Sequence, residues 1–210
     1  MKSISTCWQC GRPEEELFCP DCGALRSARA GFFELFGLEE RLSLDTADLQ
    51  RRFYELSRKL HPDLYVRKSE QERQNALDAS AILNDGYRTL RDPVKRAEYV
   101  LKRHGFDIGE QRSKDVPPEL LEEVFELNMA LEEIRGGDES ARPQLDAARE
   151  KFTAMLGDVD RELQTEFERY DDSHDREILA GIRRSLNRRR YIQNLVNEVE
   201  KETLAGNERK

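Results

Sequence analysis

The sequence predicts an all-α protein, on three observations. Charged residues make up 37% of the 210 residues, equal to the hydrophobic share, with aromatics at 8%; that balance suits helices with broad solvated faces better than a compact β or α/β core. Glycine and proline are sparse, and no stretch alternates apolar and polar side chains long enough to demand a sheet. Apolar residues recur instead at steps of three and four, most persistently in the second half of the chain.

Charge and hydropathy also narrow the function classes. A formal net charge of −8 argues against nucleic-acid binding through bulk electrostatics. No apolar run approaches a membrane span, and residues 1–6 (MKSIST) are too short for a signal peptide, so the expected location is cytoplasmic.

Texture divides the chain into residues 1–30, 31–105 and 117–205. The first region holds all four cysteines. Cys7-Trp8-Gln9-Cys10-Gly11 and Cys19-Pro20-Asp21-Cys22-Gly23 are two CxxC knuckles, in each of which both thiolates can converge on one ion while the following glycine relieves the turn. Together they predict a closed, structural tetrathiolate zinc site; sulfur ligands would also accept iron. A pair of redox dithiols is the alternative, but the segment is too short for the βαβ context that chemistry uses. With few apolar residues beyond Trp8, Leu17 and Phe18, the segment should be disordered without its ion. Ala24 to Ala30 read as a small polar connector.

In the second region, Thr46 to Leu60 form a helix capped by Asp45 or Thr46, with Leu49, Phe53, Leu56 and Leu60 on its apolar face. Its other faces carry Arg51, Arg52, Arg58 and Lys59 against Asp48 and Glu55, a basic helix in an acidic protein. His61-Pro62-Asp63 follows. Pro62 disfavours helical geometry at His61, so the helix stops and the tripeptide forms an exposed turn. A second helix, from about Glu70 to Leu90, offers Leu77, Ile82, Leu83, Tyr87 and Leu90 to the first, and Asp92-Pro93 opens a short third one bearing Ala97, Tyr99, Val100 and Leu101.

The third region reads as a three-helix bundle. Residues 106–116 form a loop, and Pro117-Pro118 open a helix that runs to about Ile134. Leu145, Ala148, Phe152, Leu156, Val159, Leu163, Phe167 and Tyr170 then trace one buried stripe over about eight turns. Gly136-Gly137-Asp138 and Asp171-Asp172-Ser173 separate this helix from its neighbours, and Ile178, Ile182, Leu186, Leu195 and Val199 face inward from the last. Two apolar stripes run along the Pro118–Ile134 helix: Leu121, Phe125 and Met129 in one, Leu120, Val124, Leu127 and Leu131 in the other. One seam needs only one of them, which leaves the other for a partner, the competing reading being that both are bundle core. Arg183, Arg184, Arg188, Arg189 and Arg190 form the densest basic run; they read as partners of the six glutamates between Glu119 and Glu133, a nucleic-acid surface being the competing reading. His104 and His174 read as surface or helix-end residues.

Four elements of residues 31–105 resemble the J domain, in its order: Phe32-Phe33-Glu34-Leu35-Phe36, Leu60-His61-Pro62-Asp63, Leu83-Asn84-Asp85-Gly86-Tyr87-Arg88-Thr89-Leu90, and Pro93 through Arg96-Ala97-Glu98-Tyr99. The strings Phe33-x-Leu-Phe, Leu-Asn-x-x-Tyr-x-Thr-Leu and Arg96-Ala97-x-Tyr99-x-Leu101 are similar to the HscB family, the J proteins of iron–sulfur cluster biogenesis. The Cys-Trp-x-Cys knuckle resembles the metal-binding extension of its mitochondrial-type members. Gly86 departs from that pattern, where alanine is usual, and in a helix it should cost about 1 kcal/mol relative to alanine.

The resemblance implies a non-enzymatic regulator. His61, Pro62, Asp63 and the cations Arg51, Arg52, Arg58 and Lys59 would dock on a DnaK/HscA-class heat-shock chaperone and stimulate its ATPase. Leu121, Glu122, Phe125, Glu126, Met129 and Glu133, with Tyr191 from the last helix, would hold an IscU-like iron–sulfur scaffold. Cys7, Cys10, Cys19 and Cys22 would hold the metal. The competing functions are a zinc-ribbon nucleic-acid binder that uses Arg183 to Arg190, and a thiol oxidoreductase.

Overall fold

A computed structural model describes residues 6–12, 17–25, 31–106 and 120–208. The described residues form seven α-helices: α1 (Phe32–Phe36), α2 (Thr46–Leu60), α3 (Glu70–Arg91), α4 (Pro93–Arg103), α5 (Leu121–Arg135), α6 (Arg142–Ser173) and α7 (Arg176–Glu208). There is no strand among the described residues, only an isolated antiparallel bridge between Phe18 and Leu25. The chain divides into two compact units, Met1–Val100 and Leu101–Lys210.

In the first unit α2 and α3 form an antiparallel hairpin. Asp45 caps α2, its carboxylate accepting from the Ala47 and Asp48 N–H groups at 2.9 and 3.3 Å. Ser69 and Glu72 close a capping box at the start of α3. Leu49, Leu60, Leu83 and Leu90 are buried between the helices, and Phe53 stacks on Tyr87 with ring centroids 4.2 Å apart. Leu77, expected on this seam, is 52% exposed; Ala76 and Ala79 take the inward positions and share one face with Leu83 and Leu90.

The short helix α1 is clamped between α3 and α4. Its Phe32 stacks on Tyr99 at 4.6 Å and donates its backbone N–H to the Tyr99 hydroxyl at 2.9 Å. Against α3, a Cβ added at Gly86 would lie 3.1 Å from the rings of both Phe32 and Phe36. Beside the expected helix cost, the missing side chain at Gly86 lets α1 approach α3. Arg96, buried, donates to the carbonyls of Leu42 and Leu90 and fixes the α1–α2 loop onto the end of α3.

In the second unit the α6 stripe packs as the periodicity predicts, with Phe152, Val159, Leu163, Phe167 and Tyr170 buried against α7. Asp171-Asp172-Ser173 do not separate the two helices. They continue α6, and the break falls at His174, a C-cap in the left-handed region at φ 52°. His104 is half-buried and in contact, its Nε2 lying 3.2 Å from the Tyr170 hydroxyl. Two members of the arginine run pair with α6: Arg188 bonds Glu162, and Arg189 meets Asp160 at 2.6 Å. On α5, Glu123 is reached by Lys151 at 3.4 Å. The expected helix opening at Pro117-Pro118, the residue Glu119 and most of the 106–116 loop lie outside the described residues.

Candidate functional site

Three groups of side chains carry chemistry. The first is the tetracysteine module. Both knuckles repeat one backbone pattern, Gly11 N–H to the Cys7 carbonyl at 2.9 Å and Gly23 N–H to the Cys19 carbonyl at 2.8 Å, with both glycines at positive φ of 75° and 70°. These turns bring the four sulfurs within 4.8 Å of one another, with Cys7 to Cys22 at 3.6 Å and Cys10 to Cys19 at 3.5 Å. Tetrahedral coordination at a metal–sulfur distance near 2.3 Å would place sulfurs roughly 3.8 Å apart, so the donor set fits such an ion, whereas a disulfide needs about 2.05 Å.

The electrostatics favour the same occupant. Backbone N–H groups of Cys10 and Gln9 bring the Cys7 thiol down to about 6 against the effect of burial. Cys22 is helped by the Ala24 N–H, yet burial and the three neighbouring sulfurs push it up to about 12. One thiolate therefore forms readily, and the full set requires a cation among them.

The module is docked. Ala24 and Leu25 are fully buried and not a polar connector; the Leu25 carbonyl accepts from the Trp8 indole N–H at 3.0 Å and from the amide of Asn75 on α3 at 2.8 Å. Asn75 is itself only 3% exposed. Its lone polar position on the inward side of α3 was the available signal in the sequence.

The second group is the turn after α2. His61 has φ −59° and ψ 125°, extended as Pro62 dictates, and ends the helix. Residues Pro62–Tyr65 then form one 3₁₀ turn. The imidazole Nδ1 of His61 faces Asp63, 3.3 Å from its backbone N–H and 3.5 Å from its carboxylate Oδ2. The turn is held from behind: the Tyr65 hydroxyl donates to the Lys59 carbonyl at 3.0 Å, and Ser80 Oγ donates to the Leu60 carbonyl at 2.8 Å. His61 and Asp63 keep 58% and 82% of their side chains exposed on this rigid corner.

Of the flanking cations, Arg58 and Lys59 are exposed, and Arg51 is exposed but paired with Asp48 and Glu55. Arg52 is half-buried and donates to the carbonyls of Phe36 and Gly37 at 3.0 and 2.9 Å and to Asp48 at 2.7 Å. Arg52, then Arg51, hold the Asp48 carboxyl below the usual carboxylate range. Tyr54, at helical spacing between Arg51 and Arg58, is 53% exposed and extends this face with apolar surface; Leu64 and Val66, just past the turn, are also exposed. These three were not picked out from the sequence, although an aromatic between two arginines was visible there.

The third group lies on α5. Leu120, Leu127, Leu131 and Ile134 are buried, while Leu121, Phe125 and Met129 are 55%, 65% and 49% exposed. Glu122, Glu126 and Glu133 are exposed beside them. Tyr191 is half-buried on α7; burial, then the charge of Glu198, raises its phenol above the usual range.

The hairpin with its His-Pro-Asp corner defines a J-domain protein, and a family model described as the DnaJ domain matches residues 31–99. A second, described as the HSCB C-terminal oligomerisation domain, matches residues 116–200. The iron–sulfur cluster co-chaperone protein HscB of Homo sapiens is 32% identical over 184 residues, covering 84% of this chain and 76% of the relative. A co-chaperone protein HscB homolog of Vibrio vulnificus is 36% identical over 172 residues, 80% of this chain and 94% of the relative. The crystal structure of human HscB matches with a TM-score of 0.73 at 28% identity, covering 96% of this chain and 100% of that one. The chain belongs to the HscB family of iron–sulfur cluster co-chaperones.

Proposed function

We propose that this co-chaperone stimulates the ATPase of a DnaK/HscA-class heat-shock chaperone and delivers an IscU-like iron–sulfur scaffold to it. The observation that carries the reading is the exposure of His61 and Asp63 on a corner fixed by Tyr65 and Ser80. A rigid, exposed carboxylate can form a charge-assisted hydrogen bond with a partner cation at little ordering cost. Arg58, Lys59 and Arg51 steer approach to an acidic surface. None of these groups performs covalent chemistry, since the hydrolytic machinery is the chaperone's.

The scaffold is assigned to the outward stripe of α5 (Leu121, Glu122, Phe125, Glu126, Met129 and Glu133), with Tyr191 contributing from α7. Exposed apolar side chains of this size on a strongly charged chain are supported as a partner surface by their contiguity at helical spacing. Residues 1–30 serve as a metal module, 31–105 as the chaperone-facing domain and 117–205 as the scaffold-facing one. Zinc in the four-cysteine site supplies a structural cross-link. No helix among the described residues is long and apolar enough to cross a membrane, and the proposed setting is the cytoplasm.

His61→Gln tests the reading. Stimulation of the chaperone's ATPase is expected to disappear while helicity and metal content stay unchanged. Undiminished stimulation would overturn it.

A further inference from the structure

Between α5 and α6 the second unit leaves a cleft of about 580 Å³. Its floor is apolar: Leu127, Ala130 and Phe152 are buried beneath it. On the α6 side Ala147 and Ala148 line it, and their short side chains are the reason the seam does not close. Met129 belongs both to this cleft and to the exposed α5 stripe, so the two surfaces are continuous.

The rim is charged on one side of the balance. Glu123, Glu126 and Glu133 face it with a single cation, Lys151, already 3.4 Å from Glu123. Three carboxylates against one ammonium leave a net charge of about −2 around an apolar floor. An acidic or purely polar occupant would be repelled or left unpaired. The complementary occupant is a peptide segment carrying one apolar side chain flanked by lysine or arginine.

Resting on the reading that α5 receives the scaffold, we propose that the scaffold's contact extends past α5 into this cleft and uses α6 as its second wall. A cationic–apolar segment of the client inserts its apolar side chain between Ala147 and Leu127, and its cation meets Glu126 and Glu133. Ala147, Gln144 and Lys151 thereby become client-facing residues, and Lys151 tempers the acidity of the rim.

The test uses the full chain and a purified IscU-type scaffold, with affinity measured by calorimetry. Ala147→Leu fills the cleft at an exposed position and is expected to weaken binding about ten-fold with unchanged helicity and melting temperature. Lys151→Glu is expected to strengthen binding and steepen its salt dependence. As a check independent of packing, p-benzoylphenylalanine placed at position 144 should cross-link to the scaffold. Unchanged affinity in Ala147→Leu, or no cross-link from position 144, overturns the cleft even where Leu121→Ala with Phe125→Ala abolishes binding. If those α5 substitutions also leave affinity unchanged, the scaffold reading of α5 fails with it.

Discussion

The corner after α2 and the outer stripe of α5 present partner surfaces built on opposite plans. At the corner, backbone geometry carries the site: Pro62 sets ψ at His61, and two side-chain hydrogen bonds from Tyr65 and Ser80 to consecutive carbonyls hold the turn in place. On α5 the backbone is plain helix, and the site is whatever the bundle leaves uncovered: Leu121, Phe125 and Met129 outside, Leu127 and Leu131 inside. A surface of the first kind favours fast, charge-steered and reversible contact; one of the second kind gains its affinity from apolar area and tolerates drift in individual residues.

That contrast can be broken most forcefully inside the bundle. Phe152 is 1% exposed and Phe125 65% exposed, although both are phenylalanines on helices of one unit. Phe152→Ala should cost about 3–5 kcal/mol of unfolding free energy, whereas Phe125→Ala should stay within about 0.5 kcal/mol, as read by chemical denaturation. Comparable losses in both would show that the outer stripe is core.

A smaller effect probes the rigidity of the first unit. Gly86→Ala would ordinarily add about 1 kcal/mol to a helix. Here the new methyl would press on Phe32 and Phe36 at 3.1 Å, and Phe32 is pinned against Tyr99. Overpacking of this kind should reverse the sign, giving a net loss of about 1 kcal/mol in a denaturant melt. A gain in stability would mean that α1 is loosely held and that the corner rests on a softer support than described.

The metal module offers the gentlest perturbation. Asn75→Ala removes one of two hydrogen bonds to the Leu25 carbonyl and should cost about 1 kcal/mol. Its clearer signature is kinetic: a colorimetric chelator should extract the metal several-fold faster, while ATPase stimulation is retained. Unaltered extraction would show that docking on α3 does not protect the site.

The two plans also explain what could be read from the chain beforehand. The knuckles and the corner were legible because each depends on residue types with fixed local consequences: two thiolates with two residues between them and a glycine after, and proline after a helix end. The α6 stripe was legible because a long period-3.6 pattern has one solution. Faces set by tertiary contact were harder. Leu77 looks like seam but the seam is completed by Ala76 and Ala79, and Asp171-Asp172-Ser173 look like a break but stay helical because the left-handed cap comes at His174. The partners of Arg188 and Arg189 depend on which helix lies beside α7, and Arg52 turns inward to the carbonyls of Phe36 and Gly37, which the folded chain alone brings within its reach.

The central claim is that the corner and the α5 stripe act on different partners and can be separated. It is tested most directly by carrying His61→Gln and the pair Leu121→Ala with Phe125→Ala through two assays, ATPase stimulation without scaffold and scaffold affinity by calorimetry. The expected outcome is a crossed pattern: His61→Gln loses stimulation and keeps scaffold affinity, whereas the α5 pair loses about ten-fold in affinity and keeps stimulation. Either variant disabling both activities together would contradict it.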